Sequence, residues 1–72
     1  MNEEMMETNL KTMLETVQDQ IDGDIEFIDD EGEPLAITRV QTFSEAGLLT
    51  MNKGVVVSFD NNTRFQLTIV QA

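Results

Sequence analysis

At residue 24 the apolar spacing of this chain changes period, and that change constrains the fold more than any other feature of its 72 residues. Before it, Met6, Leu10, Met13, Leu14, Val17 and Ile21 recur at the spacing that places side chains on one face of an α-helix. After it, Ile25 and Phe27 alternate with Asp24 and Glu26, the period of a strand with one buried face. The pattern predicts a helix over 3–21. Asn2 is its expected N-cap, Glu3 and Glu4 sit in the first turn where the dipole favours anions, and Gly23 is the expected C′ residue.

The remainder reads as strands separated by turn formers. A first strand is expected at 24–28, closed by "DDEGEP", and a second at 35–42. A loop or bulge at 43–46 leads to a third at 47–51, and the fourth and fifth follow at 55–59 and 65–71. "NKG" (52–54) has the composition of a three-residue hairpin loop with a left-handed Gly54. Parity decides the last loop. Val55, Val57 and Phe59 share a face, as do Phe65, Leu67 and Ile69, and a two-residue Asn–Asn loop would send the two sets to opposite sides. An odd loop with an Asn in the left-handed conformation is therefore expected.

The fold class that follows is α+β: an N-terminal amphipathic helix packed on one face of an antiparallel β-meander of four to five strands, in a single domain. The expected core sets Leu10, Met13, Leu14, Val17 and Ile21 against Phe27, Leu35, Ile37, Leu49, Val55, Val57, Phe59, Phe65, Leu67 and Ile69. Strict alternation turns Val40, Leu48, Val56 and Val70 to the uncovered face. There they would form an apolar patch suited to homodimerisation or assembly.

The charge is distributed unevenly. Fourteen acids against four bases give a net charge of −10, yet residues 1–33 hold twelve of the acids and one base, Lys11. Seven carboxylates fall within "DGDIEFIDDEGE" (22–33) alone. Solubility asks for dispersed charge of net magnitude about 2–8 in a small domain, and like charges held this close repel one another. The concentration points to a cationic partner. Glu4, Glu7, Glu15, Asp19 and Asp22 lie away from the apolar stripe of the helix, and Asp24 and Glu26 point off the core side of the first strand. Of these, Glu15, Asp19, Asp22, Asp24 and Glu26, with Asp29, Asp30, Glu31 and Glu33 around the turn, form the expected contact surface. The expected partner is a basic protein surface. Its sharper form is a nucleic-acid-binding protein that this chain inhibits as a DNA mimic, carboxylates standing where phosphates would and salt weakening the contact steeply. Direct contact with nucleic acid or an anionic membrane is disfavoured by the shortage of cations.

The side-chain inventory argues against an enzyme. There is no His, Cys, Tyr or Trp, so Ser44 and Ser58 have no activating imidazole, and no thiolate or disulfide chemistry is open to the chain. The four glycines are scattered singly, which rules out a phosphate-cradling loop. A domain of this length has little core to give up to a substrate cleft. No cofactor is expected. With Gly23 at position 6 of a calcium loop, Gln18 and Gln20 occupy positions 1 and 3, where carboxylates are needed. No specific metal site is therefore expected, and weak Ca²⁺ association at the Asp29–Glu31 turn is the alternative. No signal-like or membrane-spanning apolar run is present, which gives a cytoplasmic expectation.

Overall fold

The computed structural model describes residues 1–20 and 25–72. The expected roles of Ile21, Asp22, Gly23 and Asp24 lie outside the described residues. Helix α1 (Glu3–Asp19) is followed by β1 (Phe27–Ile28), β2 (Pro34–Leu35), β3 (Ile37–Thr42), β4 (Lys53–Phe59) and β5 (Arg64–Ile69). The class is α+β, as the periodicity requires. The strands form an antiparallel three-stranded sheet of order β3-β4-β5 and a separate β1-β2 hairpin, in place of one continuous meander. Asn2 caps the helix as expected, its Oδ1 accepting from the Met5 N–H at 2.9 Å.

Two hairpin turns share one design. In each, a three-residue loop ends in a left-handed residue: Gly32 (φ 81°) after Asp30 and Glu31, and Asn62 (φ 69°) after Asp60 and Asn61. The N–H of that residue bonds back three positions, to the carbonyl of Asp29 or Phe59, and Asp29 and Phe59 donate in turn to the carbonyls of Glu33 and Thr63. This is the type I turn with a G1 bulge. It pairs Val57 with Phe65 and Val55 with Leu67, so both apolar sets share a face, as parity demanded.

The expected third strand does not form. "TFSE" (42–45) is instead a capping box: the Thr42 hydroxyl accepts from the Glu45 N–H at 3.2 Å, and Glu45 Oε1 accepts from the Thr42 N–H at 2.8 Å. The single helical turn it starts closes at Gly47 (φ 77°), where Leu48 N–H bonds the Phe43 carbonyl and Gly47 N–H bonds that of Ser44, a Schellman ending. Local capping thus wins over the weak strand signal of "GLLTM". Leu49, expected in the core, is fully exposed, and Leu48 is half-buried in the same connection.

Gly54 is not a turn residue. It lies inside β4, where an added Cβ would stand 2.5 Å from Cζ of Phe43 and collide with the Leu67 carbonyl. The glycine admits the Phe43 ring onto the sheet. Because Phe43 spends its carbonyl on the Schellman turn, the Gly54 N–H loses its ladder partner. Glu7 supplies the replacement: its Oε2 accepts from Gly54 N–H at 2.8 Å, and Glu7 is buried. Glu7 therefore belongs to the buried face of the helix, although the apolar periodicity sets it off the stripe.

A bulge at Thr38 corrects the outer face. Ile37 pairs with Phe59, whereas Arg39 pairs with Ser58, so one extra residue enters β3. Beyond it the phase is reversed, and Val40, paired with Val57, points into the core with Ile37. Val56 keeps its outward parity between Gln41 and Gln66 on the central strand, yet it is 4% exposed. Of the four residues expected to form an open patch, Val40 and Val56 are buried, and only Val70 is well exposed.

The core is Leu14, Ile37, Val40, Val55, Val57 and Phe59, with Leu10, Val17 and Leu35 packed against it. Burying each of these side chains contributes about 1.5–3 kcal/mol. The helix lies off-centre. Lys11 Nζ pairs with Glu45 at 2.8 Å, and Gln18 Nε2 donates to the Thr38 carbonyl at 3.1 Å. With Glu7 these residues fall on one flank of the helix. They draw it over β3 and β4, and the opposite flank leaves Met6 and Met13 exposed, Met13 at 66%.

Two expectations follow. Gly54→Ala should destabilise the fold by about 1–3 kcal/mol through overpacking against Phe43 and the Leu67 backbone, read from urea denaturation. The Lys11–Glu45 pair should be pH-dependent in a defined direction. Hydrogen bonds from Lys11 and then from the Thr42 N–H hold Glu45 below its ordinary 4.5, so its contribution is present above that value and fades as pH falls through the folded value. The Glu45 hydrogen bond holds Lys11 above 10.5, so its contribution is present below that value and fades as pH rises through the folded one. Glu45→Gln keeps the capping box and removes the charge. The melting-temperature gap between it and the parent should be flat between about pH 5 and 10 and close on both sides.

Candidate functional site

One helix is about 10 Å wide and strands lie about 4.8 Å apart, so α1, drawn toward β3, cannot cover three strands. The inner face of β5 is left open. Phe65 and Leu67 point to that face and are 55% and 41% exposed. The β1-β2 hairpin closes the far side. Phe27 meets Phe59 edge-on with ring centroids 5.2 Å apart, and Phe59 meets Phe65 at 6.0 Å. Behind this row of rings, Asp60 ties the hairpin to the sheet. Its N–H bonds the Ala36 carbonyl at 3.0 Å, and its Oδ1 accepts from the Ala36 N–H at 3.3 Å. The result is a groove of about 770 Å³ floored by Leu14, Phe59, Phe65 and Leu67. Its size is that of a ligand or peptide site.

Acids line one side of it. Asp29, Asp30 and Glu31 border the groove. They are not equivalent. Asp29 is half-buried, and its Oδ1 accepts from the N–H groups of Glu31 and Glu33, each at 2.9 Å, so this carboxylate builds the turn. Asp30, Glu31 and Glu33 are exposed and present their charge to solvent. Glu26 and Asp19 are also exposed. Asp19 stands in the last helical turn, which contains no base, although the dipole there favours cations. Glu15 lies apart from the hairpin acids, close enough to Lys11 to act on its charge and so on the β3 flank. The structure therefore brings Asp29, Asp30 and Glu31 together and separates Glu15 from them; Asp22 and Asp24 lie outside the described residues.

Among the described residues the one ion pair is Lys11–Glu45, so Glu15, Asp19, Glu26, Asp29, Asp30, Glu31 and Glu33 have no base within 4.0 Å among those residues. Among the same residues no three acids converge as a metal-binding set, and no helix is long and apolar enough to cross a membrane. Periodicity places the apolar half of the site, Phe27, Phe65 and Leu67, in the core. Periodicity reports which face a residue shares, not whether anything covers it. The available signal was the arithmetic of widths: one helix against three strands.

Comparison with protein-family models, with curated proteins and with solved structures finds no match. The surface must be read from its own chemistry.

The distinction between building and presented carboxylates is measurable. Asp29→Ala should cost about 1 kcal/mol by releasing two backbone N–H groups of the turn, whereas Asp30→Ala should stay within about 0.5 kcal/mol. Urea denaturation of the two variants reads the difference.

Proposed function

We propose that this chain is a non-enzymatic interaction protein whose acidic helix-and-hairpin surface binds a basic surface on another protein. The observation that carries the reading is the concentration of unneutralised acid. Twelve of fourteen carboxylates belong to residues 1–33, and the exposed ones among Glu26–Glu33 have no basic partner among the described residues. Self-repulsion makes such a surface costly in the free protein, and a cationic partner removes the cost. A nucleic-acid-binding protein is the partner class with the largest basic surface of this kind, so inhibition by phosphate mimicry is the specific form proposed. The competing reading, self-assembly through the outer sheet face, is weakened because Val40 and Val56 are buried.

The immobilised chain, exposed to a nuclease-treated lysate, should retain basic proteins that elute as salt rises and are displaced by added duplex DNA. The combined reversal Asp30→Lys, Glu31→Lys and Glu33→Lys should abolish retention and leave the melting temperature within a few degrees, since these side chains are exposed and Asp29 is untouched. Retention that survives the reversal, or that duplex DNA does not compete with, contradicts the acidic surface or the mimicry respectively.

A further inference from the structure

Resting on the interaction reading above, we propose that the groove between the β1-β2 turn and β5 binds a short extended segment of a partner protein that carries bulky apolar residues and Lys or Arg together on one face, at every second position. Three observations converge on that occupant. The floor is aromatic and aliphatic, and Phe65 and Leu67 stay more than two-fifths exposed although they point to the core side of the sheet. The rim on the hairpin side is Asp29, Asp30 and Glu31. A side chain over the floor must therefore be apolar, and those two positions away on the same face reach the carboxylate rim.

The third observation is the edge of β5, the outer strand of its sheet. The Phe59 N–H bonds the Thr63 carbonyl, and the register continues through Val57–Phe65 and Val55–Leu67. Antiparallel ladders alternate, so Phe65, Leu67 and Ile69 spend their backbone groups on β4, while those of Arg64, Gln66 and Thr68 turn outward. Gln66 also lines the groove. An extended segment laid along β5 would pair with these groups and send every second side chain toward Phe65 and Leu67.

Charge chooses among occupants. A second copy of this chain carries −10 and would bring its own hairpin acids toward the same rim. An uncharged apolar ligand would leave Asp30 and Glu31 without partners. A segment with apolar and basic residues on the same strand face satisfies floor, rim and edge together.

The test uses the full chain, ¹⁵N-labelled, and the capped octapeptide Lys-Ser-Phe-Ser-Phe-Ser-Lys-Ser as the probe, its Phe and Lys in one phase. Backbone amide shifts should move at Phe27, Asp30, Glu31, Gln66 and Leu67. A Ser–Lys octapeptide of the same charge should bind at least tenfold more weakly. Leu67→Ser should weaken the Phe–Lys probe about tenfold, and the pair Asp30→Lys with Glu31→Lys should do the same by a separate route, with melting temperatures confirming that both variants fold. Methylating the backbone nitrogens of alternate probe residues should impair binding in one phase only.

Equal binding of the Ser–Lys peptide overturns the groove and leaves the acidic surface standing. Shifts confined to the helix, or equal loss in both methylated phases, overturn strand pairing at β5. A dimer in sedimentation equilibrium that Leu67→Ser dissociates assigns the groove to a second copy and overturns the proposal. If neither peptide binds, the groove proposal is overturned, and the interaction reading stands or falls on lysate retention alone.

Discussion

The lateral position of the helix decides most of what this molecule presents to solvent. Glu7, Lys11 and Gln18 fall on one flank of α1 and bond to Gly54, Glu45 and Thr38. Each takes up a need created by the sheet or by the turn that follows it. Gly54 lacks a ladder acceptor because Phe43 turns away; Thr38 offers a carbonyl at the bulge; Glu45 is already fixed by its capping box. Leu10, Leu14 and Val17 then pack on β3 and β4, and β5 is left with its inner face open. Had the polar row been absent, burial of Phe65 and Leu67 would have drawn the helix toward the middle of the sheet, because exposing that area costs about 25 cal/mol per Å².

The same economy explains why the acids cluster at no gain to the free protein. Glu3 and Glu4 are well placed at the helix N-terminus, and Glu45 and Asp29 cap turns. Glu7 satisfies the Gly54 N–H and Asp60 ties the hairpin to the sheet, whereas the side chains of Glu15, Asp19, Glu26, Asp30, Glu31 and Glu33 accept no hydrogen bond and join no ion pair among the described residues. Asp19 faces the unfavourable end of the helix dipole, and Asp30, Glu31 and Glu33 crowd one turn. A surface that is both self-repelling and bordered by exposed aromatics is the combination expected where a partner with basic and apolar groups completes the packing.

Much of this was legible in the residues, and the failures have physical causes. The helix, its N-cap, the first hairpin and the odd parity of the last loop follow from spacing and turn chemistry, down to a left-handed Asn62. Residues 43–54 did not follow. There "TFSE" is a capping box and Gly47 a helix ending, both of which have sequence signatures, but the run "GLLTM" outweighed them as a strand. "NKG" reads as a turn in sequence because a glycine's need for space is invisible until Phe43 packs against Gly54. Val40 went to the wrong face because a bulge leaves no mark on an alternating pattern. The acidic half of the site was readable as composition; its apolar half was not, because Phe27, Phe65 and Leu67 look the same in sequence whether they are covered or open.

The most direct test of this account is solvent exposure of the β5 side chains in the free protein, measured by the broadening of their ¹H–¹³C resonances with a soluble, uncharged paramagnetic agent. Strong broadening is expected at Phe65, Leu67 and Met13, and weak broadening at Val40, Val55 and Val57. If Phe65 and Leu67 are protected as well as Val57, the helix or another copy covers β5, there is no open groove, and the reading of this surface as a binding site is wrong.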